Sequence, residues 1–487
     1  MNSLKQFRRA FLCLFLVSIL CCQPVFSQCA DRPEVFVQFD LNIPGVCDEM
    51  LFPDFWLKNV TDQDQVIMTP AEIERYNRKG FADCEVLKDL RNFPAAMAGD
   101  ILRQSIEKVS ARPQKKRYLK GEEVSQEYYV ALESLMNLDQ IKNLTQVKFG
   151  ITVRRTEMRS FPTADRVFSE PDDFESDMFI ETALYPAEPL AVLHASHDGK
   201  WLFAQAYNYR AWLPAADVAF TSRSELFAYL DTPDFLVVTG KGLFTGYNPV
   251  RPEISELQLD MGARIPLADR SEVSLDIDGQ HPAGNYVVKL PTRGDDGKLV
   301  FRIGLIARSE DVRYGYMPLT RKNIITQAFK FLGQRYGWGG MFNTRDCSAF
   351  IMDIYRSMGV LLPRNSGEQG KMAVGIMHEL NKEMSLAERK AIFDSLPAGT
   401  PIYMAGHAML YLGRYKDDYY IIHDFAGFRV PDAEGNLVRS TARCVFVTPL
   451  LEIFLSDGRK YMEGIYSARE FVLPDAGAKK RSEDRLR

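Results

Sequence analysis

One cysteine, Cys347, lies between a glycine-rich stretch and an apolar segment with helical spacing, in YGWGGMFNTRDCSAF (336–350). Asp346 directly before it can cap a helix, so the pattern predicts that a helix begins at the cysteine. A thiol reacts as the thiolate, and the N-terminus of a helix stabilises that charge. Cys347 is therefore predicted to be an ionised nucleophile. The far side of the helix carries the apolar residues Phe350, Ile351, Ile354 and Met358.

Three glycines precede the cysteine, namely Gly337, Gly339 and Gly340. Because glycine has no side chain, it lets other groups approach the backbone closely. An extended peptide substrate and an oxyanion site both need such an approach. We therefore expect these glycines to serve the substrate and the oxyanion beside the thiol.

A nucleophilic thiol needs a base, and two histidines, His407 and His423, fall on consecutive predicted strands. The hypothesis is that His407 acts as the base and that His423 holds its other ring nitrogen. A histidine within an apolar strand is more often a core residue, so His423 keeps that second interpretation. The remaining histidines are interpreted as surface or loop residues: His194, His197, His281 and His378.

The spacing of these two histidines places a condition on the hairpin that joins them. They differ by an even number of residues, so they share one face of an antiparallel pair. The residues that look like the turn, Lys416, Asp417 and Asp418, leave the rings about four residues apart. At ~3.4 Å per residue this is about 13 Å along the strand. A bulge or an asymmetric loop is therefore required if His423 is to orient His407.

The N-terminus is typical of a secretory leader. Lys5, Arg8 and Arg9 precede an apolar stretch of about a dozen residues, and residues 25–27 resemble a cleavage site. The stretch is shorter than the roughly 20 residues that span a bilayer, so no transmembrane anchor is predicted. A signal peptide over residues 1–27 and a periplasmic or otherwise extracytoplasmic location are expected. Lipid attachment is the less favoured alternative, at Cys21, Cys22 or Cys29.

Loss of the leader removes three cations and moves the formal net charge from −4 to −7, which argues against a nucleic-acid partner. The remaining cysteines are odd in number, so at least one thiol stays unpaired if the others bridge. Cys347 is the one expected to be free. The alternative is that several are buried and reduced. The cysteines concerned are Cys29, Cys47, Cys84, Cys347 and Cys444.

The chain behind these residues divides by pattern. A helical N-terminal segment is predicted at 28–145, with a helix that starts at Thr69-Pro70 and stops at Gly80, and another through 94–110. Short alternating segments folded about Asp-Gly pairs predict two small β-barrels, at 146–238 and 239–316. Helices and antiparallel strands then predict an α+β domain at 317–475, and a charged tail follows at 476–487.

The motifs YGWGG…RDCSAF, LPRNS, GHAMLYLG and IIHDF, in this order, resemble the NlpC-type papain-like peptidases of bacterial cell wall. The segments before them resemble the branch in which a helical segment and two SH3-like domains precede the catalytic domain. The resemblance covers about residues 65–425. It implies a multidomain α+β protein with a papain-like catalytic domain and no cofactor or metal.

The resemblance also implies residue roles. Cys347 would be the nucleophile, His407 the base, His423 the residue that orients it, and Tyr336 an oxyanion ligand. The residues implied in binding the amine of the substrate's first alanine are Asp346, Ser348, Ser366 and either Tyr207 or Tyr209. Without the resemblance, Asp346 is equally well a helix cap, and the tyrosines are barrel core.

The implied function is hydrolysis, through a thioester, of the γ-D-glutamyl to diamino-acid bond in peptidoglycan stem peptides (L-Ala-γ-D-Glu-diamino acid). A subsite for the alanine amine implies that the N-terminus must be free. Two alternatives remain open at this point. One is an N-acetylmuramoyl-L-alanine amidase or an acyltransferase on the same fold. The other is a wall-binding protein without catalysis.

Overall fold

The structure, a computed structural model, describes residue 41 and residues 43–473. The predicted leader with Cys21 and Cys22, the cysteine at position 29 and the charged tail at 476–487 lie outside the described residues. Within the described residues, no helix combines the length and the hydropathy that a membrane span requires.

The N-terminal segment is mainly helical, and its first long helix starts where the sequence predicts. Thr69 caps that helix in a reciprocal arrangement with Glu72. The elements are α1 (Pro53–Leu57), α2 (Pro70–Asp83), β1 (Ala96–Ala98), α3 (Gly99–Val109), β2 (Tyr118–Leu119), β3 (Glu122–Glu123), α4 (Gln126–Leu135) and β4 (Leu144–Gln146).

Two predicted helix bounds in this segment are wrong. Helix α2 continues past Gly80 to Asp83, because Gly80 is a packing residue: a Cβ there would lie 3.2 Å from Met372 of the catalytic domain. Helix α3 starts only at Gly99, because residues 96–98 pair with β4 instead. In both places a long-range contact overrides the local pattern.

The first β unit is one seven-stranded antiparallel sheet with the strand order β12-β5-β9-β10-β11-β6-β8. The predicted hairpin around Asp198-Gly199 joins β9 and β10, and Gly199 adopts the positive φ of 68° that this turn requires. Strand β7 (Val167–Phe168) lies in the same segment but pairs with β2 in a separate three-stranded sheet. The seven strands of the large sheet are β5 (Lys148–Thr152), β6 (Thr156–Arg159), β8 (Ile180–Leu184), β9 (Pro189–Ala195), β10 (Trp201–Gln205), β11 (Arg210–Pro214) and β12 (Val218–Thr221).

Helix α5 (Arg223–Leu230) leads into a second β unit, whose strands form three small antiparallel sheets. Its longest hairpin, β17–β18, turns at the predicted Asp296-Gly297 pair. That this unit is a second SH3-like barrel remains a prediction. The strands are β13 (Phe235–Val238), β14 (Gly242–Phe244), β15 (Gln258–Asp260), β16 (Arg264–Pro266), β17 (Asn285–Arg293), β18 (Leu299–Ala307) and β19 (Val312–Tyr314).

The C-terminal domain is α+β, as predicted, with a six-stranded antiparallel sheet in the order β20-β25-β21-β22-β23-β24. Helix α7 packs its apolar side on β22 and β23. The elements are α6 (Arg321–Phe329), α7 (Cys347–Arg356), α8 (Ser366–Gly370), β20 (Ile376–Glu379), α9 (Leu386–Ser395), β21 (Pro401–Met404), β22 (His407–Tyr415), β23 (Asp418–Pro431), β24 (Leu437–Pro449), α10 (Tyr461–Gly464) and β25 (Ile465–Glu470).

A buried ionic network joins this domain to both β units. Arg345, which is 1% exposed, pairs with Asp260 of the second β unit at 3.3 Å and with Asp353 of α7 at 3.4 Å. Tyr185, just after β8 in the first unit, donates a hydrogen bond of 2.6 Å to Asp353. Removing one partner from a buried ion pair is costly, so the network holds the three units in one arrangement.

Candidate active site

Helix α7 begins at Cys347, and Asp346 caps it by accepting a hydrogen bond from the Ala349 N–H at 3.0 Å. The thiol is almost completely buried, and the Ala408 N–H at the start of β22 donates a hydrogen bond to it. Burial raises the pKa of Cys347 to about 12; the charge of Asp346 adds to this and the Ala408 N–H opposes it. The prediction of an ionised sulfur is therefore wrong for the unliganded site, where the thiol is neutral.

The glycines before the cysteine serve a different purpose from the one predicted. Gly339 and Gly340 have positive φ values, and a Cβ on either would lie 2.5 Å from Ile180 or Ala183 of β8. A Cβ on Gly337 would lie 2.2 Å from the Met341 carbonyl oxygen. These close approaches occur within the loop and against the first β unit. The glycines are thus required for folding the loop onto that unit.

The condition on the two histidines is met by a tight turn and a bulge. The β22–β23 turn lies at Lys416 and Asp417, and a bulge between Tyr411 and Gly413 shifts the register by one residue. His407 and His423 then lie diagonally across the strand pair, and His407 Nε2 is 2.8 Å from His423 Nδ1. The four-residue separation expected from the turn alone does not occur.

A third residue, Thr448 of β24, completes this chain of contacts. Its hydroxyl oxygen lies 2.9 Å from His423 Nε2, and the His423 ring stacks on Phe425 with ring centroids 3.6 Å apart. If His407 is to accept a proton at Nδ1, its Nε2–H donates to His423, whose Nε2–H then donates to Thr448. The sequence analysis missed Thr448, because it stands 25 residues from His423 on the neighbouring strand.

Cys347 and His407 are both neutral near pH 7. Burial lowers the pKa of His407 to about 4, while the thiol pKa is raised. Among the hydrogen bonds of the described residues, none joins the thiol to the His407 ring. A thiolate at Cys347 would therefore have to form by transfer of the thiol proton, and His407 Nδ1 is the ring nitrogen that His423 leaves open.

Thr448→Val tests the relay. Thr448 is fully buried, and valine leaves His423 Nε2 without a partner at a cost of about 1 to 3 kcal/mol. We expect kcat to fall about tenfold with little change in KM, because the buried Thr448 would act only through His423. Steady-state kinetics measures both constants. Thr448→Ser retains the hydroxyl and should retain the rate; equal loss in both variants would contradict the relay.

Arg364 binds two of the four predicted amine-binding residues, Asp346 and Ser348. Its guanidinium binds both carboxylate oxygens of Asp346, at 3.1 and 2.7 Å, and donates to the Ser348 hydroxyl at 2.8 Å. The Gly339 N–H also donates to Asp346, at 3.1 Å. The Arg364 charge holds the pKa of Asp346 below its usual range although burial opposes this. Asp346 is thus an ionised helix cap that is already neutralised, and the sequence analysis missed Arg364 within LPRNS.

The two predicted tyrosines point to different places. Tyr207 is largely buried, its hydroxyl has no partner among the described residues, and it lies in a crevice beside Arg356, away from Ser366. Tyr209 donates a hydrogen bond to Glu181 of β8. Tyr209 and Glu181 line a groove of about 590 Å³, together with Asn365 at the start of α8. Tyr209 is therefore the tyrosine near Ser366, which is the first, partly exposed residue of α8.

Glu181 is an additional acid at this position that the sequence analysis did not single out. Burial raises its pKa, whereas the Tyr209 hydroxyl and the Arg364 charge lower it. Unlike Asp346, it has no ion pair within the described part of the chain. Cys347 and His407 are not among the residues that line the groove.

Tyr336 lies close to the nucleophile. Its backbone is held by pairing with Arg345 and by a hydrogen bond to the Arg443 carbonyl. Burial raises the pKa of its hydroxyl, and a negative charge at Cys347 or at Asp346 adds to this effect. The phenol therefore stays protonated and is available as a hydrogen-bond donor.

Comparison with known proteins identifies two domains in the chain. Residues 333–432 match the NlpC/P60 family, and residues 166–214 match an SH3 domain of the SH3b1 type. The first match contains Cys347, His407 and His423, and the second contains Tyr209 and Glu181.

Curated relatives match parts of the chain. A γ-D-glutamyl-L-lysine dipeptidyl-peptidase of Bacillus cereus is 27% identical over 173 residues, which is 35% of this chain and 46% of the relative. A protein of the same name from Bacillus subtilis is 33% identical over 78 residues, 16% of this chain and 26% of that protein. The chain thus matches less than half the length of each relative.

One solved structure shares the fold over most of the chain. An NlpC/P60 endopeptidase from Photobacterium damselae subsp. piscicida superimposes with a TM-score of 0.68 at 16% identity, covering 86% of this chain and 97% of the other. The arrangement of the units is therefore one that is known in an NlpC/P60 protein.

Proposed function

We propose that this chain, with its NlpC/P60 and SH3b1-type domains, is a secreted cysteine endopeptidase that cuts peptidoglycan stem peptides between γ-D-glutamate and the diamino acid. The observation that carries the proposal is the placement of Cys347 at the start of α7 beside Ala408, with His407 Nε2 bound to His423. Two partial relatives that are named γ-D-glutamyl-L-lysine dipeptidyl-peptidases support the choice of bond.

In the proposed reaction, His407 takes the thiol proton and Cys347 Sγ attacks the γ-carbonyl carbon of D-glutamate. A carbon–sulfur bond forms, and the negative carbonyl oxygen is held by backbone N–H groups at the start of α7 and by the Tyr336 hydroxyl. His407 then gives its proton to the leaving amine, and the carbon–nitrogen bond breaks. Water, deprotonated by His407, attacks the thioester and releases the thiol.

We assign the amine of the substrate's L-alanine to Glu181, Tyr209 and Ser366. Arg364 already neutralises the charge of Asp346, so we expect that carboxylate to bind an ammonium group only weakly. Glu181 carries no such counter-charge, and it lies beside Tyr209 at the groove next to α8. In this assignment the hydrogen-bonded cluster of Asp346, Ser348 and Arg364 supports the subsite and does not bind the amine. A charged amine in the subsite implies a free N-terminus, which favours released wall peptides over intact wall.

Three alternative functions would give different results in an assay. An amidase on the same fold would cut between muramic acid and L-alanine, and an acyltransferase would pass the acyl group to an acceptor other than water. A wall-binding protein would make no product. None of the three requires the carboxylate of Glu181, which has no ion pair within the described residues.

Mass spectrometry of synthetic substrates tests the proposal. A tripeptide L-Ala-γ-D-Glu-diamino acid with a free amine should yield L-Ala-γ-D-Glu and the free diamino acid. Prepared with meso-diaminopimelate in one series and L-lysine in another, the same assay measures the preference at the third position.

The matched substrate is N-acetylmuramoyl-tripeptide. Release of its lactyl-linked peptide without cleavage of the tripeptide would establish an amidase and contradict the proposal. Binding to peptidoglycan with no product from either substrate would establish a wall-binding protein.

A further inference from the structure

Asp424 follows His423 on β23, and its side chain lies on the opposite face of the sheet, toward α7. The register that pairs Leu410 with Ile422 continues to place Ala408 opposite Asp424, and Asp424 pairs with Val445 on its other side. Ala408 and Val445 both belong to the core that packs against α7. Because the Ala408 N–H acts on the Cys347 thiol, Asp424 lies directly beneath the nucleophile.

This carboxyl group is completely buried, and neither of its oxygens has a hydrogen-bond partner within the described residues. Arg345 is the cation whose charge lowers the pKa of Asp424, but its side chain forms salt bridges with Asp260 and Asp353. An isolated ionised carboxylate is very costly to bury, so a group in this position holds its proton. Burial accordingly raises the pKa of Asp424 far above its usual value.

The elements around Asp424 supply several charged or titratable groups. Asp346 and Arg345 precede α7, and β22 contributes Ala408. His407 and His423 occupy the alternate positions of β22 and β23, with His407 at the very start of its strand. The groups that interact with Asp424 are Tyr336, Arg345, Asp346, Cys347 and Cys444. With Asp346 already ionised beside the thiol, a second negative charge at position 424 would oppose thiolate formation further.

We propose that Asp424 works as a neutral carboxylic acid beneath Cys347, and that its proton must stay in place for His407 to deprotonate the thiol. This rests on the proposed use of Cys347 as nucleophile. The proton that moves travels from Cys347 Sγ to His407 Nδ1, and Asp424 neither gains nor loses one. Asp424 touches no reacting atom, so it is a supporting residue that sets the charge state of the site.

The test is alkylation of Cys347 by iodoacetamide, followed by peptide mapping, because it reports thiolate formation without any wall peptide. Asp424→Asn is always neutral and nearly the same shape. The ratio of its rate constant to that of the wild type should be near one at pH 5. It should stay near one while the wild-type carboxyl keeps its proton, and it should rise above one only where the pH is high enough to ionise that carboxyl.

Asp418→Asn is the matched control, because Asp418 is a buried carboxyl at the start of the same strand. Its bonds from the Tyr419 and Leu451 N–H groups go to one oxygen, which asparagine retains. This variant should give a ratio that does not change with pH. Asp424→Leu, also neutral, should repeat the Asp424→Asn result if the amide disturbs folding.

Thermal unfolding gives a second measurement. A folded-state pKa above the unfolded value means that the folded protein binds more protons in between, so the wild type loses stability relative to Asp424→Asn as the pH rises from about 4. An alkylation ratio that already departs from one at pH 5, or a melting-temperature difference that does not grow with pH, would overturn the inference. A pH-dependent ratio in an enzyme that cleaves no stem peptide would overturn the proposed function and leave this inference standing.

Discussion

Cys347→Ala is expected to reduce hydrolysis of the free-amine tripeptide to the uncatalysed background, a loss of at least about 10⁴-fold in kcat. The reason is that the proposed reaction forms a carbon–sulfur bond, for which no neighbouring group offers a substitute. The side chain is buried but small, so the alanine variant should fold, with a change in stability of about 1 kcal/mol. Product formation is followed by mass spectrometry, and folding by circular dichroism.

Cys84→Ala is the matched control for this experiment. Cys84 is another free thiol of the described chain, it caps the end of α2, and it lies far in sequence from the reacting residues. It should keep full activity. Turnover by Cys347→Ala above a hundredth of the wild-type rate would remove Cys347 from the role of nucleophile.

N-acetylation of the substrate's alanine is expected to reduce kcat/KM by about 100-fold or more. The acetylated amine carries no charge, so Glu181 would be left with the Tyr209 hydrogen bond but without a cationic partner, and truncating one side of a buried charge pair costs about 2 to 5 kcal/mol. Initial rates on the two tripeptides, measured at the same pH, give the ratio.

The assignment of that loss to one carboxylate is tested with Glu181→Gln. This variant should cleave the free-amine peptide more slowly and should discriminate poorly between the two peptides, because its amide gains nothing from a charged amine. Asp346→Asn is not a suitable comparison, since it breaks the Arg364 pair and the helix cap together. Equal wild-type rates on both peptides would show that no amine subsite exists.

Much of the architecture could be predicted from local patterns. The capped helix start at Asp346-Cys347, the hairpins at the Asp-Gly pairs and the α+β character of the last domain depend on residues that are close in sequence. The family resemblance drew on the same motifs and is confirmed by the NlpC/P60 and SH3b1-type matches. The roles of the individual site residues stay predictions until the variants are measured.

What could not be predicted depends on contacts between distant segments. The loop glycines look like substrate-facing residues until β8 is seen packed against them. The bulge that brings His423 to His407 lies at Gly413, where φ is 130°; a glycine within a strand indicates a bulge, but it does not show how the pairing will shift. The charge state of the thiol follows from how deeply it is buried, which a helix-start pattern does not contain.

The buried pairing of Arg345 with Asp260 and Asp353, and of Tyr185 with that same aspartate, bears on how this protein can be cut apart. An excised catalytic fragment would keep an arginine and an aspartate whose outside partners had been left behind. Recombination that swapped in an unrelated barrel would meet the same mismatch. We therefore expect the catalytic domain and the two β units to be retained together in evolution and not to be exchanged separately.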